Sequence, residues 1–394
     1  MFLLLLSACF VGCVDPFSFE SETFESALVV QATITNKLTQ HQVRLYKTHP
    51  IDEDGPLIET NATVLVLDDA GTSYPFVETE AGKYLAVEAF AAEQNRQYQL
   101  KITLDDGKRY TSNFEKTPSI STIERVYGER IINEQGYEGV SIFIDSNDPT
   151  NESKYFRFQY EETYKLIVPS WKPKDLVVIL DDFPDCILGT VQRPLDKLTC
   201  FVSPTRKSSG ILDVSNLSDS KVSRYPIRFI SSENYKMASR YSILARQLIQ
   251  TREANSYFAI LDKFNDDGGN IFSQSQTGYI EGNIKADANP EERVVGYFEV
   301  ATLSEKRFFF NYTDFYLGEP LPPYFINCNP FEIDLITPGS CPDNFYQAES
   351  GSLVYFDERE ITEPFAITRY SVVPRLCGDC TAVGSSEVPD FWEE

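Results

Sequence analysis

Imidazole is nearly missing from this chain: of 394 residues only His41 and His49 carry it, both within the first fifty. That scarcity removes most designs for general acid–base or metal chemistry near neutral pH, leaving carboxylates, tyrosine, lysine or cysteine for any catalysis. Positive charge is short as well. Lys and Arg number 35 against 59 Asp and Glu, a formal charge of −24, so a phosphate backbone would be repelled and no nucleic-acid partner is expected. Also missing are a Gly-rich phosphate loop, a nucleophile elbow, an HExxH pair, an internal repeat, and any apolar run of the ~20 residues that a membrane-spanning helix needs. No cofactor and no metal are expected.

What the chain does contain is aromatic residues, 28 Phe and 22 Tyr beside only 2 Met, within an apolar share of 42%. Aromatic side chains favour pleated, half-buried strands, so the expectation is a mainly β globular protein with room for two or three domains. Short strand patterns run from Leu28–Ile34 through His41–Lys47, Ala62–Leu67, Lys83–Phe90 and Gln97–Leu104 to Tyr110–Glu115. Asp105-Asp106-Gly107-Lys108 has the composition of a hairpin turn. This spacing predicts an immunoglobulin-like or transthyretin-like β-sandwich over residues 27–116. From Pro118 a larger β-rich domain is expected over 117–394. One segment breaks the strand period: between 251 and 264, Ala254, Tyr257, Phe258, Leu261 and Phe264 share a helical face, with Thr251 placed to cap it.

The N-terminus is a separate signal. An apolar run Phe2–Leu6 leads to Ser7-Ala8-Cys9 and then to Gly12-Cys13, the arrangement of a bacterial lipoprotein signal in which cysteine becomes the acylated first residue. Cys13 is preferred to Cys9 because it gives the longer signal, 1–12, followed by an acidic, Ser-rich lipidated tether over 13–26. The lack of a basic residue before it points to a start codon further upstream. Each buried methylene of an acyl chain contributes about 0.8 kcal/mol, so more than one chain anchors permanently.

Six cysteines remain: Cys186, Cys200, Cys328, Cys341, Cys377 and Cys380. In an oxidising compartment an even number reads as three disulfides. Cys186 and Cys200, close in sequence, are expected to pair, with Cys328 and Cys341 bridging to Cys377 and Cys380. The Cys377-Gly378-Asp379-Cys380 sequence resembles a redox motif, but such chemistry needs the first cysteine at a helix N-terminus, and a zinc ribbon needs a second close pair. Asp266-Asp267-Gly268-Gly269-Asn270 is acidic like a calcium loop yet lacks the twelve-residue spacing. Tyr74, Tyr84, Trp171 and Phe308 to Phe310 are candidates for stacking on sugars or a partner, most of them expected in the core.

Several stretches together carry a family resemblance: Cys13-Val14-Asp15-Pro16-Phe17, Leu28 to Asn36, Val66 to Gly71, Arg240 to Ile243, Gly282-Asn283-Ile284, Val295 to Phe298, Cys377 to Cys380 and Pro389 to Trp392. In this order they resemble a family of Bacteroidota outer-membrane lipoproteins described as domain of unknown function 4249. The resemblance implies an outer-membrane lipoprotein, displayed on the cell surface, whose relatives are often encoded beside TonB-dependent receptors. It brings no activity and no catalytic residues. The expected function is therefore a non-enzymatic accessory or substrate-capture subunit docked on a TonB-dependent outer-membrane β-barrel receptor and held at the membrane by its lipid anchor. The alternatives are a surface enzyme acting on glycans or peptides through carboxylates, and a structural or adhesive spacer.

Overall fold

The structure, a computed structural model, describes residues 26–50, 55–182, 185–203, 206–266, 280–333, 341, 343–361 and 367–394. Cys9, Cys13, the tether up to residue 25 and the acidic loop after Asp266 lie outside the described residues. The fold is mainly β, as expected, and among the described residues only three segments are α-helical.

The first core is built by alternation. In the strand Leu28–Thr35, Leu28, Val30, Ala32 and Ile34 point inward, and they meet Val43, Leu45, Val64, Val66, Leu100 and Ile102 from the following strands. Each such side chain contributes roughly 1.5–3 kcal/mol when removed from water. Tyr84 and Tyr98 are wholly buried but keep partners for their hydroxyls: Tyr84 Oη accepts from the Ala62 amide at 3.0 Å and Tyr98 Oη from Glu93 at 2.8 Å. The hairpin turn forms where expected, Leu104 N donating to Lys108 O, with Gly107 at φ +85°.

Two strands from far along the chain join this core. Ile284–Ala286 pairs with Arg109–Ser112 at one end of the sheet, and Val294–Phe310 pairs in parallel with Leu28–Thr35. The sheet rolls until these two late strands face each other, and the Asn283 side chain closes the roll. Its Nδ2 donates to Phe298 O at 2.9 Å while its Oδ1 accepts from Phe298 N at 2.8 Å, standing in for a ladder of backbone bonds. The approach is so close that a Cβ on Gly282 would lie 1.7 Å from Gly296 O.

Val294–Phe310, at 17 residues the longest strand among the described residues, serves two cores. Its first half pairs from Val294 to Ala301 with Leu28–Thr35, while its second half runs antiparallel to Tyr241–Ile249. Because side chains alternate, Phe298 and Val300 enter the first core and Phe310 the second, leaving Tyr297, Glu299, Leu303 and Glu305 on the opposite face. The second core lies between a sheet containing Tyr155–Ile167 and a three-stranded sheet of Thr122–Ile132, Glu138–Asn147 and Lys221–Ser231. A third, smaller core gathers the hairpin Lys174–Asp182/Asp185–Gln192, the helix Asp343–Glu349 and the strands Leu353–Ile361 and Ile367–Pro374.

The cysteines correct one expectation. Cys186 does not pair with Cys200: the bridges are Cys186–Cys341, Cys200–Cys380 and Cys328–Cys377. Cys186 begins an outgoing hairpin arm beside the third core, and the chain then travels through Gln192 and a short 3-10 turn before Cys200 is reached in the second core. Seven extended residues alone carry the chain ~20 Å away, so nearness in sequence is lost in space. Cys328 does join the Cys377/Cys380 pair as expected, whereas Cys341 turns to Cys186. Cys377 and Cys380 thus take different partners, and the CGDC sequence is a branch point for two structural bridges. Bridges separated by 155, 180 and 49 residues restrict the unfolded chain by about 4–5 kcal/mol each, taken singly. Beside them the buried Arg193 guanidinium lies 3.3 Å from Asp379 and 3.5 Å from Asp175, tying the hairpin to the C-terminal segment.

Candidate ligand cleft

The outer face of the continuous sheet is polar by the same alternation that fills the cores. In Tyr155–Ile167, Phe156, Phe158 and Tyr160 point inward, so Arg157, Gln159 and Glu161 point out; in Tyr241–Ile249 the outward set includes Arg246 and Leu248. The helix Arg252–Asp266 lies over one part of this face. Thr251 caps it, its Oγ1 accepting from Ala254 N at 3.2 Å, and Ala254, Tyr257 and Phe258 pack against Tyr297. Helix, sheet and the Lys37–Gln42 segment enclose a cleft of about 1010 Å³.

Its charges run against those of the whole protein. Of the 24 described residues lining the cleft none is Asp or Glu, yet Lys37, Arg157, Arg206 and Arg246 are among them. The carboxylates lie just behind. Arg157 binds Glu299, which also accepts from Thr33 Oγ1 at 2.9 Å and Gln250 Nε2 at 2.5 Å. Arg246 reaches Glu305 at 2.9 Å and Glu161 at 3.4 Å, Lys37 reaches Glu305 at 2.6 Å, and Arg206 reaches Glu161 at 2.8 Å. Four cations therefore share three carboxylates. Burial, and then the neighbouring Arg206, hold the Arg246 guanidinium below its usual range. The Nε atoms of Arg157 and Arg246 are buried without a hydrogen-bond partner, and Arg157 stacks 4.0 Å over the Phe258 ring.

His41 lines the cleft from the rim. It is 5% exposed, its ring meets Phe90 edge-on at 4.7 Å, and its Nε2 has no partner. Burial lowers its pKa to about 4, with the Phe90 and Thr35 backbone pulling the other way, so the ring is neutral at pH 7. Behind Tyr297, Glu115 is fully engaged: Oε1 accepts from Tyr297 Oη at 2.7 Å and Asn283 Nδ2 at 2.9 Å, and Oε2 from Thr251 Oγ1 at 3.2 Å. Burial raises its pKa, and those three bonds oppose the shift. A third buried carboxylate, Glu162, is held by Lys236, Tyr241 and Arg228 under the second core.

A smaller and more open hollow of about 480 Å³ lies at Ser208 to Gly210, with both Arg228 and Asp262 on its wall. The aromatic candidates Tyr74, Tyr84, Trp171 and Phe308 to Phe310 do not line the cleft. Tyr84 and Phe310 are buried, Tyr74 stacks on Phe90, Trp171 and Phe308 pack on the second core, and Phe309 meets Trp392. Sequence reading passed over Arg157, Arg206 and Arg246. The signal for Arg157 was present, since Arg157, Gln159 and Glu161 alternate with three large aromatics.

A family model described as "Domain of unknown function (DUF4249)" matches residues 14–307, a stretch that holds every residue lining the cleft. No curated protein matches the chain.

Proposed function

Taking as premise that the chain belongs to the DUF4249 family, we propose that it is a non-enzymatic ligand-capture protein, lipid-anchored through Cys13 on the outer membrane and working beside a TonB-dependent β-barrel receptor. The observation that carries this reading is the cleft: large, walled by a helix, rich in hydrogen-bond donors, and lined among the described residues by no carboxylate, serine or thiol able to attack a substrate. Such a lining is suited to holding a molecule. The enzyme alternative needs two carboxyl groups facing one space, whereas Glu115, Glu162 and Glu299 are each engaged by internal donors.

An exposed apolar surface supports the proposed partnership. On the hairpin Lys174–Asp182/Asp185–Gln192, Val178 and Leu188 serve the third core while Ile179, Leu180, Ile187 and Val191 are exposed, Ile179 at 64%. Apolar side chains gathered on an exposed ribbon lower their free energy by burial against another protein. The barrel receptor is the occupant this reading assigns.

The test is affinity recovery from mildly solubilised membranes, comparing the native chain with Ile179→Asp/Ile187→Lys. Co-purification of a β-barrel with the native chain and its loss with the variant is the expected result. Recovery of the native chain alone, or the absence of acyl mass on Cys13, overturns the proposal.

A further inference from the structure

We infer that the ligand of this cleft is a carboxylate carried on a planar, apolar body; the inference rests on the capture reading and names its cargo class. The first ground is charge. In a protein of formal charge −24, four cations line one cavity with three carboxylates behind them. One more anionic group restores the balance, and a guanidinium fork matches the two oxygens of a carboxylate. The second ground is unmet donor capacity, since Arg157 Nε and Arg246 Nε are buried without an acceptor. The third is the adjoining wall, where Tyr257, Phe258 and Leu261 offer an apolar surface and the Arg157 guanidinium already sits 4.0 Å from the Phe258 ring centroid.

The same sheet face shows this chemistry in use a short distance away. The C-terminal segment lies over it with Phe391 stacked on Arg307 at 3.6 Å, Trp392 edge-on to Phe201 at 4.8 Å and to Phe309 at 5.6 Å, and the Glu394 carboxylate on Lys165 Nζ at 2.9 Å and 3.0 Å. Arg307 stands two residues beyond Glu305 on one strand, and Glu305 is paired in register with Arg246. Aromatic rings and carboxylates therefore already occupy the neighbouring cations of this face. The cleft repeats the same ingredients, Arg246, Arg206 and Arg157 beside Phe258, with space left open.

The experiment is isothermal titration calorimetry on the full chain at low ionic strength, using phenylacetate, its neutral amide and inorganic phosphate as probes. Phenylacetate is expected to bind saturably, with the amide and phosphate each about tenfold weaker or worse, and with a loss of about tenfold in Arg246→Gln. Arg206→Gln, at a half-exposed side chain, provides a second variant whose folding is safe, and the same direction of loss is expected. No saturable heat with phenylacetate, equal binding of the amide, equal binding of phosphate, or unchanged affinity in both variants overturns the inference. A chain that recovers its barrel partner but fails these arms sinks the ligand class alone. One that binds phenylacetate as expected but recovers no barrel sinks the partnership alone.

Discussion

The buried imidazole of His41 makes stability depend on pH, most distinctly between pH 6.5 and about 5.5, above the range of ordinary carboxyl groups. Its folded pKa of about 4 lies below the ordinary value of 6.5, so as pH falls the unfolded chain takes up the proton first. The native state is then penalised: stability is whole above pH 6.5 and lost progressively as pH falls from 6.5 to 4. With these two values the loss is about 2 kcal/mol at pH 5 and about 3 kcal/mol below pH 4. Glu115 acts with the opposite sign, because burial raises its pKa and the native state binds that proton first, recovering stability as pH falls. His41→Gln should therefore flatten the decline between pH 7 and pH 5, and Glu115→Gln should steepen it. Urea unfolding of the oxidised protein at several pH values gives these slopes. With only two imidazoles in the chain, a proton NMR titration reads the His41 ring directly. A ring that titrates near 6.5 in the folded protein, or identical slopes in native and His41→Gln chains, refutes the reasoning.

Three further outcomes are expected. Glu299→Gln leaves the Arg157 guanidinium without its buried counter-charge and should cost about 3–5 kcal/mol in denaturant unfolding; a loss below about 1 kcal/mol would contradict this. Gly296→Ala places a Cβ 2.0 Å from Val30 O at a φ of +125°, so a loss of more than about 2 kcal/mol, or failure to fold, is expected. Peptide mapping without reduction should find Cys186 with Cys341, Cys200 with Cys380 and Cys328 with Cys377, and a Cys186–Cys200 peptide would disprove the arrangement.

What could be read from the sequence was local. The helix expected near 251–264 is Arg252–Asp266 with Thr251 at its cap, because a 3.6-residue period and a capping hydroxyl both act within a few residues. The strand Leu28–Thr35 was legible for the same reason, but its parallel partner at Val294–Ala301 was not. Alternation says which side chains of a strand face inward and nothing about which distant strand lies beside it. Pairing of cysteines failed likewise, since Cys186 and Cys200 are separated by a hairpin arm whose direction only the third core decides. The cleft combines both limits: Arg157 and Gln159 announce a polar sheet face, while the helix that walls it arrives about a hundred residues later.

The parallel pairing of Leu28–Thr35 with Val294–Ala301 also governs how the molecule bears load. Tension arriving through the chain ahead of Leu28 meets eight residue pairs side by side, all strained together in shear, with no end from which they can be unzipped one at a time. The neighbouring strand continues into the second core, so load applied ahead of Leu28 is shared between both cores.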